Sequence, residues 1–243
     1  MTTAILIPAR LDSSRLHSKL LLAETGQPVI CHTIAAAMAA GADKVVVVTN
    51  SDEIEEAVLD KGTTLYTLSP KFSIFRSQQP HQNGTSRVAE AAEALGLTLA
   101  NDLIVNLQAD EPTICPGDLQ LLAEVMRLQP EWKIGTMATA LADEEHDNPH
   151  CVKVVVSGWR ALYFSRTFLP GSFRHVGVYC FRGDHLRDRV ALLGPTYLCE
   201  AERLEQMAFL EQGWPILAVP AAPTIGIDTR EDYAKFCEWQ RGR

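Results

Sequence analysis

The sequence predicts an α/β fold with a mainly parallel central sheet and a small mixed β lobe. Three observations predict it. Residues 4–9 (AILIPA), 44–49 (KVVVVT) and 102–107 (DLIVNL) are short, nearly continuous apolar runs, as strands covered on both faces require. Helical patterns lie between them, so successive strands can run parallel. Between residues 134 and 182, strand-like runs follow one another with no long helix.

Taken in order, the strand at 4–9 leads to an Ala-rich helix over 29–40 that stops at Gly41, and then to the strand at 44–49. A helix is expected over 52–60 and a third or edge strand over 63–68. A helix over 86–95, the strand at 102–107 and a helix over 116–128, with Pro116 in its first turn, complete the first half. The runs 134–140, 151–157, 161–165 and 174–181 read as strands. Helices return over 183–192 and 199–211. A last strand at 216–220 precedes a helix over 229–239, where Thr229 and Asp232 are spaced as a capping box. One domain spanning 1–243 is expected, with 134–182 as its β-rich lobe.

The chain's 243 residues, 47% of them hydrophobic, suffice for a substantial core. A net charge of -8 argues against nucleic acid as a partner. It permits a small polyanion where positive charge is concentrated, and Arg10, Arg15 and Lys19 supply such a concentration near the first strand. Six cysteines are scattered without a C-x-x-C pair, which indicates neither a disulfide framework nor a zinc knuckle. With no basic and apolar leader and no run of membrane-spanning length, a cytoplasmic protein without membrane insertion is expected.

In an open parallel sheet, ligands bind beyond the carboxyl ends of the strands. Three segments are placed there. Pro8 to Lys19 follows the first strand, and its serines and its Arg10, Arg15 and Lys19 suit phosphate oxygens, although the same composition fits a solvated basic loop. It is neither a P-loop nor a dinucleotide fingerprint. Asp110 and Glu111 follow the strand at 102–107. Asp110 can take a hard cation such as Mg²⁺, or cap the next turn. Asp228, between the last strand and the last helix, can return to the same sheet edge and share that cation, or lie beside the helix start for its dipole. The turn at 81–87 fits either a close approach to a base or an ordinary Asn-Gly turn. Lys153, Arg174 and His175, on the mixed lobe, fit either an acceptor's carboxylate or solvent.

Read together, eight segments resemble the 3-deoxy-manno-octulosonate cytidylyltransferases, the CMP-Kdo synthetases. They are Ile7–Lys19 (IPARLDSSRLHSK), Gln82–Arg87 (QNGTSR), Val105–Pro112 (VNLQADEP), Asn148–Lys153 (NPHCVK), Tyr163–Arg166 (YFSR), Arg174–Tyr179 (RHVGVY), Glu202–Gln206 (ERLEQ) and Gly226–Asp232 (GIDTRED). The resemblance covers essentially the whole chain. It implies the nucleotide-diphospho-sugar transferase fold, Rossmann-like, with the 134–182 lobe near the acceptor and a homodimer contact. It implies transfer of CMP from CTP to the anomeric hydroxyl of an acidic sugar, 3-deoxy-D-manno-octulosonate (Kdo) or a close relative, with Mg²⁺ as cofactor and pyrophosphate released.

The site residues carried over are these. Ala9, Arg10, Ser14, Arg15, Lys19, Gln82, Gly84, Thr85 and Gln108 would bind the nucleotide. Asp110 and Asp228 would hold the metal and, with Lys19, act in catalysis. Arg166, Arg174, His175, Tyr179, Glu202, Glu205 and Gln206 would line or support the sugar site. The family's P-G-K is His17-Ser18-Lys19 here, its turn glutamate is Ser86, and its long charged loop after S-R is reduced to Leu169–Phe173. These departures leave two alternatives open: the same chemistry on another acidic sugar, and a catalytically silent CTP-binding protein.

Overall fold

The computed structural model describes residues 2–11, 16–60, 66, 68–81 and 83–242. Ser14, Arg15 and Gln82, and most of the strand expected over 63–68, lie outside them. Strand β1 (Thr3–Pro8) is followed by α1 (Val29–Ala39), β2 (Lys44–Thr49), α2 (Asp52–Leu59) and β3 (Phe72–Arg76). Then come α3 (Gly84–Ala94), β4 (Leu103–Leu107), α4 (Pro116–Leu128) and β5 (Ile134–Thr139). The hairpin β6 (Lys153–Ser157) and β7 (Arg160–Ser165) leads to the long β8 (Phe173–Arg182). Helices α5 (Gly183–Asp188), α6 (Tyr197–Glu202) and α7 (Glu205–Glu211), strand β9 (Ile216–Pro220) and α8 (Arg230–Arg241) end the chain.

The apolar runs become strands covered on both faces because alternate residues point to opposite sides. Ile5, Ile7, Val45, Val47, Leu103 and Val105 pack with α1, α2, α4 and α8. Ala4, Leu6, Val46, Val48 and Ile104 pack with α3 and α7 on the other face. Two cores therefore hold β1, β2 and β4 rigidly, and the loops at their carboxyl ends inherit that placement.

The strands form one sheet in the order β3-β2-β1-β4-β8-β5-β9-β7-β6, and β6 also pairs with β8. That last pairing closes β8, β5, β9, β7 and β6 into a five-stranded mixed barrel, with β5–β9 its parallel pair and the others antiparallel. The expectation of a mainly parallel, Rossmann-like sheet with a small attached β lobe is therefore corrected. Only β3, β2, β1 and β4 form a continuous parallel set. The physical reason is connectivity: β6 and β7 are joined by a tight turn, which permits only antiparallel pairing. The ten-residue β8 runs beside β4 at its far end and β6 at its start. An irregularity in β5 between Thr136 and Met137 lets that pair bend.

Two further expectations change. The third strand is β3 at Phe72–Arg76, and Tyr66 and Leu68 are not in a strand. The helix expected over 199–211 breaks at Arg203, whose left-handed backbone (φ 54) separates α6 from α7.

Candidate active site

Strands β1 and β4 end side by side, and the residues after them face the start of α3. Pro8, Ala9, Arg10, Lys19, Gly84, Gln108, Asp110 and Asp228 line one cleft there, with His81, Asn83 and Arg87. Its centre is Lys19. The ammonium donates to Asp110 Oδ2 at 2.5 Å, Asp228 Oδ1 at 3.0 Å and the Ile227 carbonyl at 2.7 Å. Those three bonds match the three donors of an ammonium. Burial acts to lower the Lys19 pKa, but the charges of Asp110 and then Asp228 outweigh it and the net direction is upward. Lys19 is thus a retained positive charge held between two carboxylates.

Each carboxylate is set by its backbone. A turn from Glu111 N to the Gln108 carbonyl follows β4, and the Thr33 hydroxyl holds the Ala109 carbonyl at 2.9 Å. Ile227 N donates to the Asp110 carbonyl at 2.9 Å, tying the two acidic segments together. Immediately after Asp228, Thr229 caps α8 in a reciprocal box with Asp232.

The opposite wall is the start of α3, capped by the Asn83 side chain on Ser86 N. A Cβ at Gly84 would meet Pro8 Cγ at 3.2 Å and the Gln108 amide at 3.4 Å, so glycine lets this helix approach both strand ends. Its amino end offers partial positive charge to an anion. Thr85 lies one step behind the wall, 4% exposed, and accepts from Asn106, which in turn accepts from the Gln108 amide. Arg87 is a cleft residue that sequence reasoning did not select, although it closes the QNGTSR segment one turn after Gly84. It donates to Asn50 at 2.9 Å. Burial and then the nearby Arg10 push its pKa down.

The seven residues expected at the sugar site do not share one cleft. Arg174 and His175 line a second cleft reached across Asp110 and Asp228. Arg174 pairs with Glu145 at 3.4 Å and donates to the Thr224 carbonyl at 2.5 Å. Glu205 lines a third cleft, which shares His81 and Asn83 with the first. Burial raises its pKa to about 7. Arg166 donates to the carbonyls of Pro149 and Arg203, and Glu202 accepts from Tyr163 and Ser165. Tyr179 and Gln206 are interior.

Among the described residues no group of three or more His, Cys, Asp or Glu gathers as a metal cage. Two carboxylates around one cation position do fit a hard cation that takes its remaining ligands from water and phosphate. The Lys19 ammonium marks that position.

Residues 4–219 match the family described as cytidylyltransferase. The 3-deoxy-manno-octulosonate cytidylyltransferase of Pelodictyon phaeoclathratiforme is 40% identical, over 96% of this chain and 94% of its own. That of Methylococcus capsulatus is 38% identical, over 98% and 97%. The chain belongs to the 3-deoxy-manno-octulosonate cytidylyltransferase family. A solved structure of a family member, CMP:2-keto-3-deoxy-manno-octonic acid synthetase complexed with CTP, superposes with a TM-score of 0.85. It is 33% identical and covers 100% of this chain and 99% of the other. No helix among the described residues is long and apolar enough to cross a membrane.

Proposed function

We propose that this enzyme transfers CMP from CTP to the anomeric hydroxyl of Kdo and releases pyrophosphate. The observation that carries the reading is the Lys19, Asp110 and Asp228 cluster at the base of a cleft walled by Arg10, Arg87 and a helix start. Near-full-length similarity to 3-deoxy-manno-octulosonate cytidylyltransferases supplies the substrates. In this scheme Arg10 and Lys19, together with Ser14 and Arg15, would serve the triphosphate, and Gln82, Gly84, Thr85 and Gln108 would serve the cytidine. Such transfer asks the protein chiefly for positioning and charge neutralisation.

Asp110 and Asp228 would hold Mg²⁺ between them. When bound, the ion supplies polarisation of the phosphate and a lowered pKa for a coordinated hydroxyl. Arg174 and His175, across the two carboxylates, would meet the acceptor sugar; Glu205 and the Glu202–Arg166 region would support it. Such a protein works in the cytoplasm. We place a homodimer contact on the 134–182 segment, supported by the exposed Trp159, Leu162 and Phe173 side chains there.

The test is Asp110→Ala. It should lower CMP-sugar formation at least ~100-fold, since one metal carboxylate is worth several kcal/mol in the transition state. A surface control, Glu131→Ala, should leave the rate unchanged. Full activity in a folded Asp110→Ala enzyme contradicts the reading.

A further inference from the structure

Thr136 lies on β5 with no exposed surface, in register with Tyr179 on the neighbouring β8. Its hydroxyl oxygen is 2.7 Å from the Val178 carbonyl oxygen and 2.9 Å from His175 Nε2. A carbonyl has no proton to give, so the single hydroxyl proton of Thr136 is committed to Val178. The contact to the Val176 carbonyl, at 3.5 Å, is too long to compete. The short approach of Nε2 to the same oxygen then requires a proton on Nε2.

Burial, and then the charge of Arg174, hold the His175 pKa down to about 3, so the ring is neutral at working pH. A neutral imidazole protonated on Nε2 carries only a lone pair on Nδ1. The ring plane is held by Phe164, edge-on at 5.0 Å, and by Tyr179 at 5.5 Å. Among the described residues, side-chain atoms sealed from solvent without a partner occur on Glu111, Ser172, His185 and Thr224. His175 Nδ1 is not one of them. His175 lines the second cleft, beside Asp110, Gly177 and Asp228.

We propose that Thr136 is a positioning residue that locks His175 as the Nε2–H tautomer, so that Nδ1 faces the second cleft as a lone pair for a hydroxyl of the acceptor sugar. The inference rests on the reading of that cleft as the acceptor's. It assigns His175 to a hydroxyl edge of the sugar, because a lone pair repels a carboxylate. The acid group must therefore dock elsewhere.

The test is nitrogen-15 NMR of the imidazole rings in the folded, ligand-free enzyme, with His175 assigned by loss of its signals in His175→Gln. The wild type and Thr136→Ser should show His175 protonated on Nε2 only, and Thr136→Val should lose that single pattern. A wild-type ring protonated on Nδ1 overturns the proposal, whatever the variants do. In parallel, Thr136→Val should raise KM for Kdo about tenfold with KM for CTP unchanged, the equivalent of one lost hydrogen bond. Thr136→Ser should restore it. A lost tautomer pattern with unchanged KM for Kdo retains the lock and overturns the assignment of the lone pair to the acceptor.

Discussion

Lys153 shows how a single residue can mislead at the level of sequence. A lysine at the start of a strand reads as solvent-facing or as a partner for an acceptor carboxylate. In the fold it has no exposed surface, and its ammonium donates to the carbonyls of Asn148 at 2.6 Å and Arg166 at 3.2 Å. It ties the loop before β6 to the end of β7, and so helps place Arg166. Lys153→Met should cost about 1–3 kcal/mol in urea unfolding, since it strands two carbonyls; a neutral result would deny the tie.

Glu205 sets a pH dependence at the same scale. Its folded pKa, about 7, lies above its ordinary 4.5. The folded state thus holds the proton more tightly than the unfolded chain. The associated stability is complete below about pH 4.5 and is lost as pH rises through 7. Glu205→Gln keeps a neutral side chain, so its melting temperature should gain on the wild type between pH 5 and pH 8. A difference that does not change with pH contradicts the raised pKa.

Elements were legible where local pattern alone decides them. The apolar runs of β1, β2 and β4, the Pro at the start of α4 and the Thr229–Asp232 box on α8 all form as their residues suggest. The break between α6 and α7 was not legible, because Arg203 takes a left-handed backbone with no glycine to announce it. Close packing between elements is equally silent in sequence. A Cβ on Gly183, where β8 turns into α5, would meet the backbone carbonyls of Leu97 and Leu99 at 2.6 and 2.9 Å. At Gly135 it would meet the Met126 and Leu122 side chains at 2.9 and 3.0 Å, which can move. Gly183→Ala should therefore destabilise by about 2–3 kcal/mol and Gly135→Ala by about 1. Equal losses in denaturant titrations would contradict that contrast.

For the whole molecule, closure of the β8-β5-β9-β7-β6 barrel depends on one strand pairing with partners far apart in sequence. No local periodicity records that, and the mainly parallel expectation erred there. At the candidate site, three segments remote in sequence, each following a strand, bring Lys19, Asp110 and Asp228 together. Which cleft holds the sugar was beyond sequence patterns, since Arg174 and Glu205 line different clefts. If the barrel carries the dimer contact, the 26.8 kDa chain should sediment at twice its mass, and Leu162→Glu should shift it to monomer. A wild-type monomer would remove that role from the lobe.

The most direct measurement is incubation of the purified enzyme with CTP and Mg²⁺, with and without Kdo, following pyrophosphate and the mass of the product. Pyrophosphate release that requires Kdo, with one CMP-Kdo formed per pyrophosphate, is the predicted result. A folded enzyme that binds CTP yet forms no CMP-Kdo would contradict the central claim.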